Sequence, residues 1–520
     1  MRPLLSTDES RALDAAAATA GGGSEALVER AARGMATRLG EILDRISGGG
    51  AQGRRRVTAL AGRGANGADA LAALRVLRER GRTEAMTAVL AFSPGRGDGP
   101  ADAQSARLES LGIEILDFAA ERNASLEAVS SAELLLEGLA GTGAVGALRE
   151  PAAGLVEAAN RARGFRVAVD LPAGLGSGGA VFEADATLMV APPKELAFRP
   201  SLRAYSGTIH FIDGVFEPGA GSGSAVHLPE EADLPGLVPR LAPDDHKGRR
   251  GGAGIWAGAV GTTGAASLAC RGAVAAGCGL ARLRARTEIW QALASRIEDG
   301  LVAPLGRLRD EAAFAAGMDA LLAGPGWGRS APAPALLRRL LETELPLVLD
   351  ADALGLLGTV RGKLRRKAPL ILTPHPGELA RLAGVPVEAV LDDPLAVARP
   401  LADRYGAVVC VRAVATWIAA PGGRAFVVDG FEPSLAVAGS GDVFAGLLVG
   451  LLARARAGDP ERLDPAALAA AAALAHASAG RALAGRLGFY GASDLAAELG
   501  SIIHRASSAE RRVPGRRLRP

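Results

Sequence analysis

Residues 435–455, LAVAGSGDVFAGLLVGLLARA, put a carboxylate where a chain can most readily handle an anion. Gly439, Ser440 and Gly441 make a small-residue turn that runs into Asp442 and then an almost wholly apolar segment, which predicts the buried start of a helix. A helix start offers unpaired N–H groups and the positive end of its dipole, and glycines let a phosphate approach the backbone. An acid placed there reads as a general base for phosphoryl chemistry; the plainer reading of the same residues is an Asp cap on a core helix. In TPHPGEL, residues 373–379, two prolines fix the backbone around His375, which reads as a site residue or as a surface His in a structured turn. Nearer the start, GRGANGAD (62–69) makes a glycine-rich strand-to-helix turn, compatible with a ligand or simply with tight turning.

These groups need strands to carry them. In the first half, short apolar runs at 57–61, 113–116, 134–136, 167–169, 186–190 and 208–212 predict strands, following two helices over 6–46 joined at Gly21, Gly22 and Gly23. The strands at 113–116, 134–136 and 167–169 each stop in small or polar residues, the last two at 138–143 and 170–174, and in a doubly wound sheet such ends converge on one crevice. The second half repeats the pattern. Strands expected at 254–257, 281–284, 320–323, 346–349, 370–372 and 407–411 end in the glycine turn before Thr263-Gly264-Ala265, in GPGWG, in DADAL and in TPHPGEL. A hairpin-like segment over 417–428 then leads back to the Asp442 turn. Between the halves, 217–237 is Gly, Ser and Pro rich and reads as a linker, so the expected domains are 1–225 and 226–505, with a basic tail over 506–520. Two cores suit a chain of 520 residues.

Composition removes several classes. With 59 basic against 56 acidic residues and a net charge of +3, there is no electrostatic footprint for nucleic acid. Cys270, Cys278 and Cys410 form no CxxC pair, which suits a reducing cytoplasm, and His246, His375 and His476 lack metal-ligand spacing. No apolar run reaches membrane-span length; the nearest, 465–479, contains His476 and Ser478 and reads as a packed helix.

The succession LLSTDESRALD, GRGANGAD, EGLAGTG, VDLPAG and TLMVAPPK resembles a diverged epimerase domain of the bifunctional NAD(P)H-hydrate repair enzyme family. The resemblance implies a Rossmann-like three-layer α/β/α fold, substrate contacts at Asn66, Gly67, Asp69, Gly141, Thr142, Gly143, Ala147 and Asp170, and Asp170 as acid/base. The family's first loop reads GxGNNGGDG, where this chain has Ala65, Ala68 and Ala70. Its potassium ion is held by an Asn, an Asp and a Ser, and the matching positions here are Asn66, Glu137 and Ala173. Potassium takes oxygen ligands, and Ala173 has none to offer. The expectation is therefore a lost or weakened ion site and an impaired epimerase, the domain being kept for folding or assembly.

From His246 to Leu499, GPGxG, LDADAL, TPHPGE and GSGD together resemble the NAD(P)H-hydrate dehydratase domain of the same family, which has a ribokinase-like α/β/α fold. The resemblance implies hydrate contacts at Ala265, Gly326, His375 and Asp442. It implies a nucleotide, ADP or ATP with Mg²⁺, along Arg412, Ala413, Val414, Ala415, Thr416, Gly439, Ser440 and Gly441. Where the family has KGxxT this chain has Arg412 to Thr416, keeping the charge in a bulkier planar group. The implied chemistry is phosphorylation of the hydrate's ring hydroxyl, with Asp442 as base, followed by elimination. A homo-oligomer is also implied. Two rivals share the anion hole: a small-molecule kinase of the same fold, and a non-catalytic nucleotide sensor.

Overall fold

The computed structural model describes residues 1–19, 23–46, 55–82, 84–94, 99–141, 143, 146–360, 364 and 366–509. Thr142, the glycines at 21 and 22 and most of the basic tail lie outside them. The chain forms two compact α/β units, Pro3–Ser224, and Ala225–Pro520 with Met1–Arg2.

The first unit is built on seven parallel strands in the spatial order Glu114–Asp117, Ala85–Leu90, Arg56–Ala61, Leu134–Gly138, Phe165–Val169, Ala186–Val190 and Thr208–Ile212. Strand order reverses between Arg56–Ala61 and Leu134–Gly138, so a crevice opens at their carboxyl ends, where Ala61 pairs with Gly138. Alternate side chains feed two cores. Val57, Ala59 and Leu134 pack with helices Gly23–Ile46 and Ala65–Glu79, while Leu60 and Leu135 face Phe118, Leu155 and Val156. Strand Ala85–Leu90 was not expected from sequence: it lies between two others, and burial on both faces erases the alternation that marks a strand.

The second unit has an eleven-stranded sheet. Its parallel part runs Val408–Arg412, Leu370–Leu372, Leu347–Leu349, Ala320–Ala323, Gly252–Trp256, Leu280–Ala285 and Leu301–Pro304, the last an unexpected edge strand. Antiparallel strands Ala415–Ala419 and Ala425–Asp429 extend the other side. The expected linker corrects to structure here: Val226–Leu228 pairs in parallel with Ala425–Asp429, because Val226 and Leu228 are both apolar and buried on either side of His227. Residues 465–479 form the packed helix expected of them, within the longer helix Pro465–Leu487. By length and composition it could cross a membrane, but 78% of its apolar window is buried in the protein, as in a core helix.

Helix Ser440–Gly458 lies against helix Thr263–Ala275 backbone to backbone. A Cβ on Gly446 would fall 2.0 Å from the Ala269 carbonyl oxygen, and one on Gly272 would fall 2.2 Å from that of Val443. Only glycine permits this approach, which sets where Asp442 comes to rest. The glycines of this composition thus act through close helix packing.

Candidate active sites

In the second unit, Asp442 sits in the first turn of helix Ser440–Gly458, after Gly439 in the left-handed region at φ 92°. Ser440 N–H donates to the Val437 carbonyl at 3.2 Å, whereas those of Gly441 and Asp442 have no carbonyl partner among the described residues. The Ser440 amide is thus engaged within the turn, while those of Gly441 and Asp442 stand at the helix start. Burial, then the negative charge of Asp350, push the Asp442 carboxyl up to about 6, against the opposing pull of Arg412.

Arg412, at the end of its strand, turns inward. Its Nη2 donates to Asp350 Oδ1 at 2.9 Å and its Nε to the Thr373 carbonyl at 2.9 Å, while Thr373 Oγ1 donates to the same Asp350 oxygen at 2.8 Å. The other end of the guanidinium rests on the helix start: a Cβ on Gly441 would lie 2.1 Å from Arg412 Nη1. A side chain at 441 would displace the end of Arg412. The carboxylate that orients the cation, Asp350, is 1% exposed and ends strand Leu347–Leu349.

Beside this cluster lies a cavity of about 400 Å³ lined by His375, Arg412, Ala413, Val414, Thr416 and Ser440. Ala415, expected with them, is wholly buried and does not line it, because strand alternation turns it to the opposite face from Thr416. His375 caps helix Pro376–Ala383, its Nδ1 accepting from Gly377 N–H at 3.1 Å, with Nε2 3.6 Å from Glu378. The ring is 57% exposed, so it is held in place yet open to a ligand. On the floor, His476 Nε2 meets the Ser440 carbonyl at 3.1 Å and packs edge-on to Phe444; burial pushes its pKa down to about 4. A neutral imidazole donating there locks the turn.

Ala265 and Gly326 come together as well. A Cβ on Gly326 would fall 2.9 Å from that of Ala265, and Thr262 Oγ1 donates to the Gly326 carbonyl at 2.7 Å. They reach the Asp442 turn through their helix, where Leu268, one turn beyond Ala265, packs under Gly439. Thr262, Thr373, Asp350 and His476 were not singled out as site residues. Thr373, Asp350 and His476 stand in TPHPGEL, in LDADAL and among the histidines, but their partners lie far away in sequence.

In the first unit, Asp170 ends strand Phe165–Val169 at φ 63°, a conformation that a non-glycine residue holds only when its surroundings demand it. Its Oδ1 accepts from Lys194 Nζ at 2.6 Å and from Val190 N–H at 3.1 Å, and Lys194 also donates to the Val190 carbonyl at 2.6 Å. The sequence signal for Lys194 is a lysine following two prolines at a strand's end, in TLMVAPPK. Burial, then Asp170, push the Asp69 carboxyl well up, and burial also raises that of Asp14. Gly67 meets the Gly62 carbonyl oxygen at 1.8 Å from a built Cβ, a close turn. Gly141 abuts the Asn66 amide, while Gly143 and Ala147 are exposed.

The three positions matched to a potassium site are mostly engaged or without oxygen. Asn66 Nδ2 donates to the Val169 carbonyl at 3.0 Å, Ala173 ends in a buried methyl, and both Glu137 oxygens accept backbone N–H groups, from Leu139 at 2.5 Å and Ala173 at 3.1 Å. Burial pushes the Glu137 carboxyl up to about 8 despite those bonds. Potassium takes oxygen ligands, and of these three side chains Ala173 has none and Glu137 has both of its own engaged.

A family model described as NAD(P)H-hydrate dehydratase matches residues 253–505, and one described as YjeF-related protein N-terminus matches residues 24–196. The bifunctional NAD(P)H-hydrate repair enzyme Nnr of Salinibacter ruber is 33% identical over 462 residues, covering 82% of this chain and 83% of that one. The enzyme of the same description from Mycobacterium tuberculosis is 34% identical over 444 residues, covering 82% and 84%; that of Escherichia coli is 30% identical, covering 72% of each. Among solved structures, an ADP/ATP-dependent NAD(P)H-hydrate dehydratase from Bacillus subtilis, co-crystallised with ATP and Mg²⁺, aligns with 54% of this chain and 99% of its own at 25% identity and a TM-score of 0.49.

Proposed function

The chain belongs to the family of bifunctional NAD(P)H-hydrate repair enzymes, and from that premise we propose how its residues divide the work. The second unit is the dehydratase. A nucleotide lies in the cavity along Arg412, Ala413, Val414 and Thr416, and the hydrate reaches from Ala265 and Gly326 towards His375. Asp442 takes the proton of the ring hydroxyl as that oxygen attacks the terminal phosphoryl of ADP, or of ATP, and the shortened nucleotide leaves. The C–O bond then breaks with departure of phosphate, and loss of a proton from the neighbouring ring carbon restores the dihydronicotinamide.

The observation that carries this reading is the meeting of Arg412 with Gly441, one residue from Asp442. It sets a guanidinium, itself held by Asp350, beside the free amides of the helix start, so charge developing on a phosphoryl group meets fixed donors that need no rearrangement. Mg²⁺, when bound, neutralises phosphate charge. An ion arriving with the nucleotide would need one or two carboxylates, and Asp442 stands at the helix start for this, since Asp350 already accepts from Arg412 and Thr373.

For the first unit the reading is an epimerase that is impaired and independent of potassium, supported by the engaged Glu137 and the methyl of Ala173. Three free buried cysteines support a reducing, cytoplasmic setting. The test is recovery of reduced-nicotinamide absorbance from S-form NADH hydrate with Mg²⁺ and ADP or ATP, followed by the R form, in potassium and in tetramethylammonium buffers. Recovery from S with one nucleotide supports the dehydratase and identifies its donor. A stable phosphorylated product would favour the kinase rival, and tight nucleotide binding without turnover the sensor. R-form recovery that requires potassium would overturn the reading of the first unit.

A further inference from the structure

The carboxyl-terminal half of helix Ser440–Gly458, the end away from Asp442, lines a second cavity of about 690 Å³ within the second unit. Six arginines line it, Arg240, Arg249, Arg250, Arg424, Arg454 and Arg462, against three aspartates, Asp245, Asp459 and Asp464. Two of the aspartates are paired with arginines, and the third, Asp245, keeps its charge near Arg454. Asp464 pairs with Arg424 at 2.6 Å and caps Ala467, Asp459 pairs with Arg462 at 3.4 Å, and Asp245 accepts the Ala242 amide at 2.8 Å. Among the described residues no carboxylate comes within ion-pair distance of Arg240, Arg250 or Arg454.

Two of these unpaired cations are neighbours. A Cβ on Gly277 would lie 3.4 Å from Arg250 Nη2 and 3.5 Å from Arg454 Nη1, so both guanidiniums crowd one point of the backbone. Arg454 is 5% exposed and donates to the carbonyls of Ala276 at 2.8 Å and Pro239 at 2.9 Å, which explains why it stays at a helix end. Arg250 gives only its Nε, to the Gly277 carbonyl at 2.8 Å. Carbonyl dipoles account for one cation, but not for a second at its side and a third, Arg240, exposed on the same cavity wall. Adjacent like charges, one of them buried, are held at a cost that an anion between them removes. Leu237, Val238 and Leu468 supply an apolar wall beside them.

We propose that this cavity binds a phosphorylated small molecule, Arg250 and Arg454 gripping a phosphoryl group and Arg240 standing further along the wall, apart from the nucleotide site beside Asp442. The volume suits a ligand with an organic part as well as phosphate. Inorganic pyrophosphate is the probe. Its binding to the full chain is followed by calorimetry in the wild type, R250Q, R240Q and, as a control for the nucleotide site, R412Q. The expected result is binding that weakens about tenfold or more in R250Q, weakens severalfold in R240Q, falls with added salt and survives R412Q. If R250Q fails to fold, R240Q carries the test, since Arg240 is exposed, and its dehydratase turnover should be unchanged. No binding up to about 1 mM, or binding lost in R412Q and kept in both cavity variants, would overturn the proposal.

Discussion

Asp442→Asn separates catalysis from stability, because the two should move in opposite directions. The asparagine keeps the shape of the side chain but cannot accept the hydroxyl proton, and a general base contributes about 10²- to 10⁴-fold, or roughly 3–5 kcal/mol of barrier. In the wild type the carboxyl titrates at about 6, raised from 3.8 by burial and by Asp350. About nine-tenths of the base is ionised at pH 7 and about a tenth at pH 5, so turnover should fall along an acid limb centred near 6. The same shift bears on folding. The folded chain holds this proton to higher pH than the unfolded chain, so wild-type stability falls as pH rises from about 4 to 6 and the cost persists above that. Removing the charge should therefore stabilise the variant at pH 7.5, by about 2–3 kcal/mol at most, with no gain below pH 4. The assays are S-hydrate recovery against pH and the thermal midpoint at pH 4 and 7.5. A variant within tenfold of the wild-type rate would refute the assignment of the base, and a large rate loss with a lowered midpoint would show that the helix start had collapsed instead.

Arg412→Gln removes the positive charge that opposes the rise in the Asp442 pKa, so the acid limb should move above 6 while nucleotide KM rises, by about tenfold if one charge-assisted contact is lost; a limb that stays put or moves down would disconnect the two groups. The variant also leaves Asp350 buried without its ion pair, at roughly 3–5 kcal/mol, read as a lower denaturation midpoint. Glu137, pushed up from 4.5 to about 8, makes the wild type lose stability as pH rises through that window, since only the folded chain stays protonated there. Glu137→Gln should flatten this slope; it starts lower at pH 5, by about 1–3 kcal/mol for a backbone N–H left without an acceptor, and the gap to the wild type should narrow by pH 8, in thermal midpoints measured across that range. Lys194→Met strands Asp170 in a buried site and should cost roughly 3–5 kcal/mol and any R-hydrate turnover above the spontaneous rate, with Lys194→Arg recovering part of both.

The parts of this protein that could be read in advance were local. Gly439 to Asp442 followed by an apolar run predicted a helix start bearing a carboxylate, and helix Ser440–Gly458 begins within that turn. Most strands showed as short apolar runs ending in small residues, because parallel strands buried on both faces must be apolar throughout and must stop where the chain turns over the crevice. Ala85–Leu90 and Val226–Leu228 went unread for related reasons: the first has little alternation, and the second is three residues long in a stretch whose glycines and prolines suggested a linker.

What each side chain does in its site depended on contacts between distant residues. Arg412 was expected to face a nucleotide; its direction is set by Asp350, 62 residues away, and by the absence of a side chain at Gly441. Glu137 kept the negative charge type of the family's ligand, yet full burial and the amides of Leu139 and Ala173 use up both its oxygens. Lys194 gained its meaning only when the sheet brought it to Asp170. Residue order by itself therefore determined the two α/β units and where their crevices would open, since periodicity and turn chemistry are local properties of the chain. Only the tertiary structure decided which groups are charged, paired or free at those crevices, because burial and the distance between charges exist only once the chain has folded.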